Sequence, residues 1–250
     1  MLRSVIAGFF CVVCTRVQAD ESVIYPDQSA VHVFIGGWAY DITGTATNTQ
    51  RFDFKDDLNL KVTDRKTYAV GYTPAGLGWV PAMEFDYVNI AADGMQTVTI
   101  GLLGVGISTV VDDRTDIDDY ELALRWPLQR GDFTFSGGLT VVALNGVVVL
   151  ADADTGEQQT QKVNEIFPRP GLAITWQPLP SLRLLVSGDY VKYKDNRADA
   201  LEARVLWKCL GPIGLEAGYR QRRYKIRDPM NELDARVAGA RIGVRMELPY

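Results

Sequence analysis

Hydrophobicity that alternates residue by residue, in stretch after stretch, is the feature that most restricts how this chain can fold. Beginning at Trp79, the residues Trp79, Pro81, Met83, Phe85 and Tyr87 fall on one face of an extended strand, with Val80, Ala82, Glu84 and Asp86 on the other. Tyr120, Leu122, Leu124 and Trp126 oppose Glu121, Ala123 and Arg125 in the same way, and Phe133, Phe135, Leu139 and Val141 oppose Asp132, Thr134, Ser136 and Thr140. Further on come Leu172, Ile174 and Trp176, then Leu182, Leu184, Val186 and Tyr190 against Arg183, Ser187 and Asp189. Leu201, Ala203, Val205 and Trp207 oppose Glu202, Arg204 and Lys208, and Ile213, Leu215, Ala217 and Tyr219 oppose Glu216 and Arg220. The last run sets Ile242, Val244, Met246, Leu248 and Tyr250 against Arg241, Arg245 and Glu247.

With weaker candidates at Val31 to Ile42 and Lys66 to Thr73, the pattern predicts about ten strands, each close to the length a β-strand needs to cross a bilayer. An even count puts both chain ends on one side. Four connections are short and marked by Pro or Gly, at Thr73 to Gly78, Pro127 to Asp132, Gln177 to Ser181 and Lys208 to Pro212. They read as periplasmic turns. The longer connections near Thr43 to Arg65, Asn89 to Ile117 and Asn145 to Ile166, with shorter ones at Lys194 to Ala200 and Lys225 to Leu233, read as extracellular loops. Tyr72, Trp79, Trp126, Phe133, Trp176 and Trp207 flank the short turns, where amphipathic rings would form an aromatic girdle at a membrane boundary. The apolar stretches Thr97 to Val111 and Leu144 to Ala151 suggest strands prolonged above the membrane, or segments folded over the barrel mouth. The expected class is thus an all-β, antiparallel transmembrane barrel occupying residues 20–250 as one domain.

After the first residues no run of 18 apolar positions exists, so helical spans are excluded; a barrel needs none, because only alternate residues face lipid. Residues 1–19 read as a cleavable secretory signal: Arg3, an apolar stretch from Val5 to Val13, and Val17-Gln18-Ala19 before Asp20-Glu21. Its removal would take Cys11 and Cys14, leaving Cys209 alone, so neither an internal disulfide nor a Cys/His zinc site is expected. It would also take Arg3 and Arg16 and move the net charge from −5 to −7, which argues against nucleic acid as a partner.

The charged faces carry the candidate chemistry. Glu84, Asp86, Glu121, Arg125, Arg183, Asp189, Glu202, Arg204, Glu216, Arg220, Arg241 and Arg245, with Glu247, would line a lumen. They either ring a narrow aqueous path and select ions, or pair across a barrel too narrow to stay open. Pairing is the favoured expectation. Catalysis is not expected: His32, the single histidine, falls at the start of the first strand, near the periplasmic rim, and no second imidazole is available as a general base. Glu84 and Asp86 share one face, as any strand spacing by twos would place them. Acidic clusters at Asp53, Asp56 and Asp57 and at Asp112, Asp113, Asp116, Asp118 and Asp119 lack calcium-loop spacing and read as solvated; no metal or cofactor is expected. Alternation alone leaves one alternative of another class, an exported soluble lipocalin-like barrel with its apolar face inside.

The segments Gly214-Leu215-Glu216-Ala217-Gly218-Tyr219-Arg220 and Asp116-Ile117-Asp118-Asp119-Tyr120-Glu121-Leu122 resemble strands of small, largely uncharacterised proteobacterial outer-membrane β-barrel proteins, loosely similar to the OmpW-like barrels, over roughly Val31 to Tyr250. The closing Val244, Met246, Leu248 and Tyr250 resemble the signal by which the outer-membrane assembly machinery recognises clients, although Pro249 removes a backbone donor beside the terminus. The resemblance implies a cell outer-membrane location and contact with outer-membrane lipids and lipopolysaccharide. During biogenesis it implies contact with the assembly machinery and periplasmic chaperones. The expected function is a structural or surface-interaction role in a Gram-negative envelope, with a monomeric barrel. The alternatives are a narrow channel for ions or small solutes and, more distantly, a lipid-modifying enzyme.

Overall fold

The computed structural model describes residues 29–47, 51–53, 61–62, 66–75, 80–102, 105–152, 158–227 and 232–249. The predicted signal at 1–19, Trp79, Asp56, Asp57 and Tyr250 lie outside these residues. Its strands are β1 (Ala30–Thr47), β2 (Arg51–Asp53), β3 (Lys61–Val62), β4 (Lys66–Thr73), β5 (Ala82–Leu102), β6 (Val105–Arg130), β7 (Phe133–Asp152), β8 (Gln158–Leu179), β9 (Leu182–Tyr193), β10 (Asn196–Leu210), β11 (Ile213–Arg227) and β12 (Glu232–Pro249). Ten of them, all but the short β2 and β3, pair antiparallel with their neighbours, and β12 returns to β1 from Ala30–Pro249 to Thr47–Glu232, closing the barrel. No helix occurs among the described residues.

Burial settles which face is inside. Leu172 is 70% exposed and Ile242 64%, while Arg222 is fully buried and Glu216 and Arg241 are each 2% exposed. Apolar side chains therefore point outward around the circumference, and charges point into the lumen. A soluble barrel would need the reverse, since exposing so large an apolar belt to water is unfavourable by about 25 cal/mol per Å². The lipocalin-like alternative is thereby overturned.

The hairpins between β4 and β5, β6 and β7, β8 and β9, and β10 and β11 are short and lie at the same end as Ala30 and Pro249; we call this the turn end and the opposite one the loop end. Gly131 and Gly211 supply the positive φ angles (60° and 52°) that two of these turns require.

Two expected loops are corrected. Asn89 to Ile117 is not a loop: Asn89 pairs with Asp118 and the ladder continues to Leu102–Val105, so only residues 103–104 separate β5 from β6. Asn145 to Ile166 is likewise strand except at 153–157, since Asn145 pairs with Asn164 and Ala151 with Gln158. The reason is local. Both stretches are rich in Val, Ile and Thr, and each folds onto a partner of the same kind, so the hairpin outgrows the membrane. With 21, 26, 20 and 22 residues, β5 to β8 far exceed the roughly 9–11 needed to cross a bilayer, whereas β9 has 12. The loop end is tall over β5–β8 and low over the β9–β10 hairpin.

Near the turn end the Phe34 ring lies over two glycines: a Cβ at Gly243 would sit 2.6 Å from the ring and 2.4 Å from the Ile35 carbonyl oxygen. Arg241 stacks on the same ring at 3.9 Å. Gly243→Val is expected to displace Phe34 and lower the unfolding free energy in vesicles by about 1–3 kcal/mol, read from urea titration.

Candidate functional site: the barrel lumen

The inward faces build a lattice of ion pairs in successive layers. Nearest the turn end, Glu247 accepts from Arg183 at 2.8 Å and lies 2.8 Å from Lys208. Next, Glu84 accepts from Arg204 at 2.9 Å and Arg245 at 3.3 Å, and Arg245 donates to Glu216 at 2.5 Å. In the third layer Arg220 grips Asp86 with two bonds, 2.7 and 3.1 Å, while Arg222 and Arg241 approach the same carboxylate at 3.3 and 3.2 Å; Glu202 takes Arg220 at 3.0 Å and Arg241 at 3.2 Å. In the fourth, Arg222 donates to Asp119 and Glu121, both at 2.6 Å, Arg169 donates to Glu121, and Tyr224 donates to Asp119 at 2.9 Å. To one side Arg125 donates to Asp189, which also accepts from Thr140 at 3.1 Å.

Many of these bonds join strands that are not neighbours in the sheet: β5 to β10, β11 and β12, β6 to β9 and β11, and β9 to β12. They cross the lumen rather than run along its wall. Bidentate and charge-assisted geometry of this kind is what makes a buried charge tolerable.

All twelve charges predicted to face the lumen do face it and each has an opposite charge within ion-pair distance. Asp119, Arg169, Lys208 and Arg222 belong to the same lattice and were not foreseen. Their parity was readable: counting by twos from Arg220 gives Arg222, and from Glu121 gives Asp119.

Above the lattice, toward the loop end, the lumen turns apolar. Val142, Leu144, Val163, Phe167, Ala198 and Tyr224 form one buried cluster; Trp38, Tyr40, Val88, Ile90 and Val237 form a second, and Ile117 touches both. Trp38 binds the Gly239 carbonyl at 3.2 Å and lies under Arg222 and Arg220, 5.4 and 5.9 Å from their guanidinium carbons. Below, a cavity of about 590 Å³ opens at the turn end. It exists because β7, β8 and β9 line that part of the lumen with Thr134, Ser136, Ala173, Thr175 and Ser187, too short to reach the charged wall opposite. The lumen is a vestibule blind at its loop end.

His32 is buried beside this vestibule, its Nε2 2.9 Å from Glu84. Of the second acidic cluster, Asp119 points inward, whereas Asp116 and Asp118 point outward and accept from Asn89 at 2.8 and 3.1 Å; no metal-binding group occurs among the described residues. Of the predicted girdle, Trp126, Phe133 and Trp176 are exposed on the outer face, Phe133 and Trp176 stacked at 5.9 Å, and Tyr72 and Trp207 are half-buried. A second outward band, Tyr68, Tyr87 and Tyr120, lies further up, linked at 6.4 and 5.1 Å. Val244, Met246 and Leu248 face outward.

No protein-family model matches the chain, and no curated protein matches it. Solved structures do. The outer membrane protease OmpT of Escherichia coli aligns with 89% of this chain and 97% of its own at a TM-score of 0.52 and 8% identity. The translocator domain of the autotransporter NalP from Neisseria meningitidis aligns over 98% and 95% at 0.47 and 12% identity, and Ail of Yersinia pestis over 88% and 99% at 0.39 and 9%. With its apolar residues turned outward, its ion pairs turned inward and its ends closed strand to strand, the chain has the fold of an outer-membrane β-barrel.

Proposed function

We propose that the protein resides in the outer membrane of a Gram-negative cell, turn end toward the periplasm, as a non-conducting barrel with a structural or surface-interaction role. The observation that carries this is the set of cross-lumen ion pairs, capped by the two apolar clusters: a permeating ion would have to displace Asp86 from three arginines and then pass a dry, aromatic layer. Outward cations at the loop end, including Lys192, Arg197, Arg223 and Arg236, support lipopolysaccharide as a neighbour, although Arg197 and Arg223 already hold Asp199 and Asp234. The outward Val244, Met246 and Leu248, with Tyr250, support recognition by the assembly machinery and its periplasmic chaperones. We read the barrel as monomeric.

Planar-bilayer recording of refolded protein tests the reading. Wild type is expected to stay silent, and Arg220→Ala with Arg241→Ala is expected to raise brief conductance steps by opening the third layer. Steady steps in wild type would replace this reading with the channel.

We also propose that the barrel is not an enzyme. Its one histidine is held by Glu84 in the turn-end half of the lumen, far along the strands from the outer leaflet. His32→Ala is expected to leave the lipid A mass profile of expressing cells identical to that of wild type; a difference would assign His32 a catalytic role.

A further inference from the structure

The barrel wall is not hydrogen-bonded to the same height all round. The β8–β9 ladder runs from Leu179–Leu182 up to Gly171–Asp189 and stops there. Above that level β8 stays paired with β7 as far as Gln158, and β9 stays paired with β10 from Tyr190–Asp199 to Tyr193–Asn196. Residues 167–170 and 190–193 therefore face each other across a seam without strand pairing. Pro168 and Pro170 supply the chemical reason: neither has a backbone N–H to give to β9.

Apolar surfaces meet this seam from both sides. On the lipid-facing side a groove of about 520 Å³ runs across β7 to β10, floored by Gly137 and Gly188 and walled by Leu172, Pro170 and Tyr190. On the luminal side, directly behind, lie Phe167 and Val163 of β8, with Val191 of β9 packed against the same cluster. The four residues on each edge thus carry Pro170 and Tyr190 outside and Phe167 and Val191 inside. Only side-chain packing separates groove from cluster, so parting the edges breaks no backbone hydrogen bond.

We propose that the β8–β9 seam is a lateral binding site for a single unbranched hydrocarbon chain from the outer leaflet. The chain lies in the glycine-floored groove and passes between Pro170 and Tyr190 to contact Phe167, Val163 and Val191. The occupant is hydrocarbon because everything around the groove is: Leu172, Ile174, Val186 and Leu201 surround it on the exposed outer face. A thin chain fits where two glycines have removed the side chains, and a bulky ring system does not. This inference rests on the outer-membrane reading, but not on whether the lumen conducts along its axis.

The test uses methyl-labelled wild-type protein in lipid nanodiscs with 16-doxylstearic acid as the probe. Broadening is expected at the outward Leu172 methyls and also at the luminal Val163 and Val142 methyls. In a Cys209→Ser background, Pro170→Cys and Tyr190→Cys occupy positions that the continued register sets opposite each other. Oxidising that pair is expected to abolish the luminal broadening and keep it at Leu172. Broadening confined to Leu172 in wild type overturns the proposal without any variant, and luminal broadening that survives oxidation overturns it by placing the entrance elsewhere. Absence of broadening at Leu172 itself overturns the membrane reading, and the lateral site with it.

Discussion

Asp86→Leu is expected to be among the most destabilising single changes in this barrel, lowering the unfolding free energy by about 3–5 kcal/mol in urea titrations from vesicles. The carboxylate is 3% exposed and lies within 3.3 Å of Arg220, Arg222 and Arg241. Deleting it leaves three guanidinium groups crowded around an apolar side chain, with the lumen too tightly filled at that level for water to replace four carboxylate contacts. The remaining anions are already shared: Glu202 serves Arg220, Arg241 and Arg204, and Asp119 and Glu121 serve Arg222. Adding Arg241→Met to Asp86→Leu is expected to restore part of the loss, because the variant then carries one unpaired cation fewer. The double-mutant cycle would show coupling of the sign expected for direct partners. A loss below about 1 kcal/mol for Asp86→Leu alone would mean that water screens this layer as it screens exposed pairs.

Leu122→Arg probes the opposite face. Leu122 points outward, 40% exposed, on β6 between Tyr120 and Trp126 of the two aromatic bands. If that face lies in hydrocarbon, the substitution costs about 2–4 kcal/mol near mid-depth, and the same arginine nearer a boundary costs much less. On a soluble barrel, by contrast, an exposed leucine replaced by arginine would change stability by only about 0.5 kcal/mol in either direction. Urea titration of the refolded variant therefore separates the two environments by a margin well beyond measurement error. Asp86→Leu and Leu122→Arg together test the two halves of one claim, that this sheet is polar inside and apolar outside.

The alternation itself was legible residue by residue. Runs such as Leu182 to Tyr190 or Ile213 to Arg220 can only be strands, because a two-residue period fits no helix, and the same parity groups Glu202 with Arg204 and Arg241 with Arg245 on one face. Strand count, the short turns and the lumen-facing charges follow from that period and from the placement of Pro and Gly. The long β5–β6 and β7–β8 hairpins were harder to read. In Val147 to Leu150 and Val105 to Val111 both faces are apolar or mixed, so the period fades although the strand continues.

What the sequence determined by itself is therefore a set of two-faced strands, since side-chain direction along a strand is fixed by backbone geometry alone. Which face turns inward, which arginine crosses the lumen to which carboxylate, and where a ladder stops are not local properties. Asp86 meets Arg220 because β5 and β11 lie opposite each other once β12 has closed on β1. The apolar cap joins Trp38, Val142 and Tyr224, and the seam beside Pro170 appears only when β8 is seen to outreach β9. Those relations depend on closure of the barrel, which brings together residues more than a hundred positions apart and fills a space that no single strand defines.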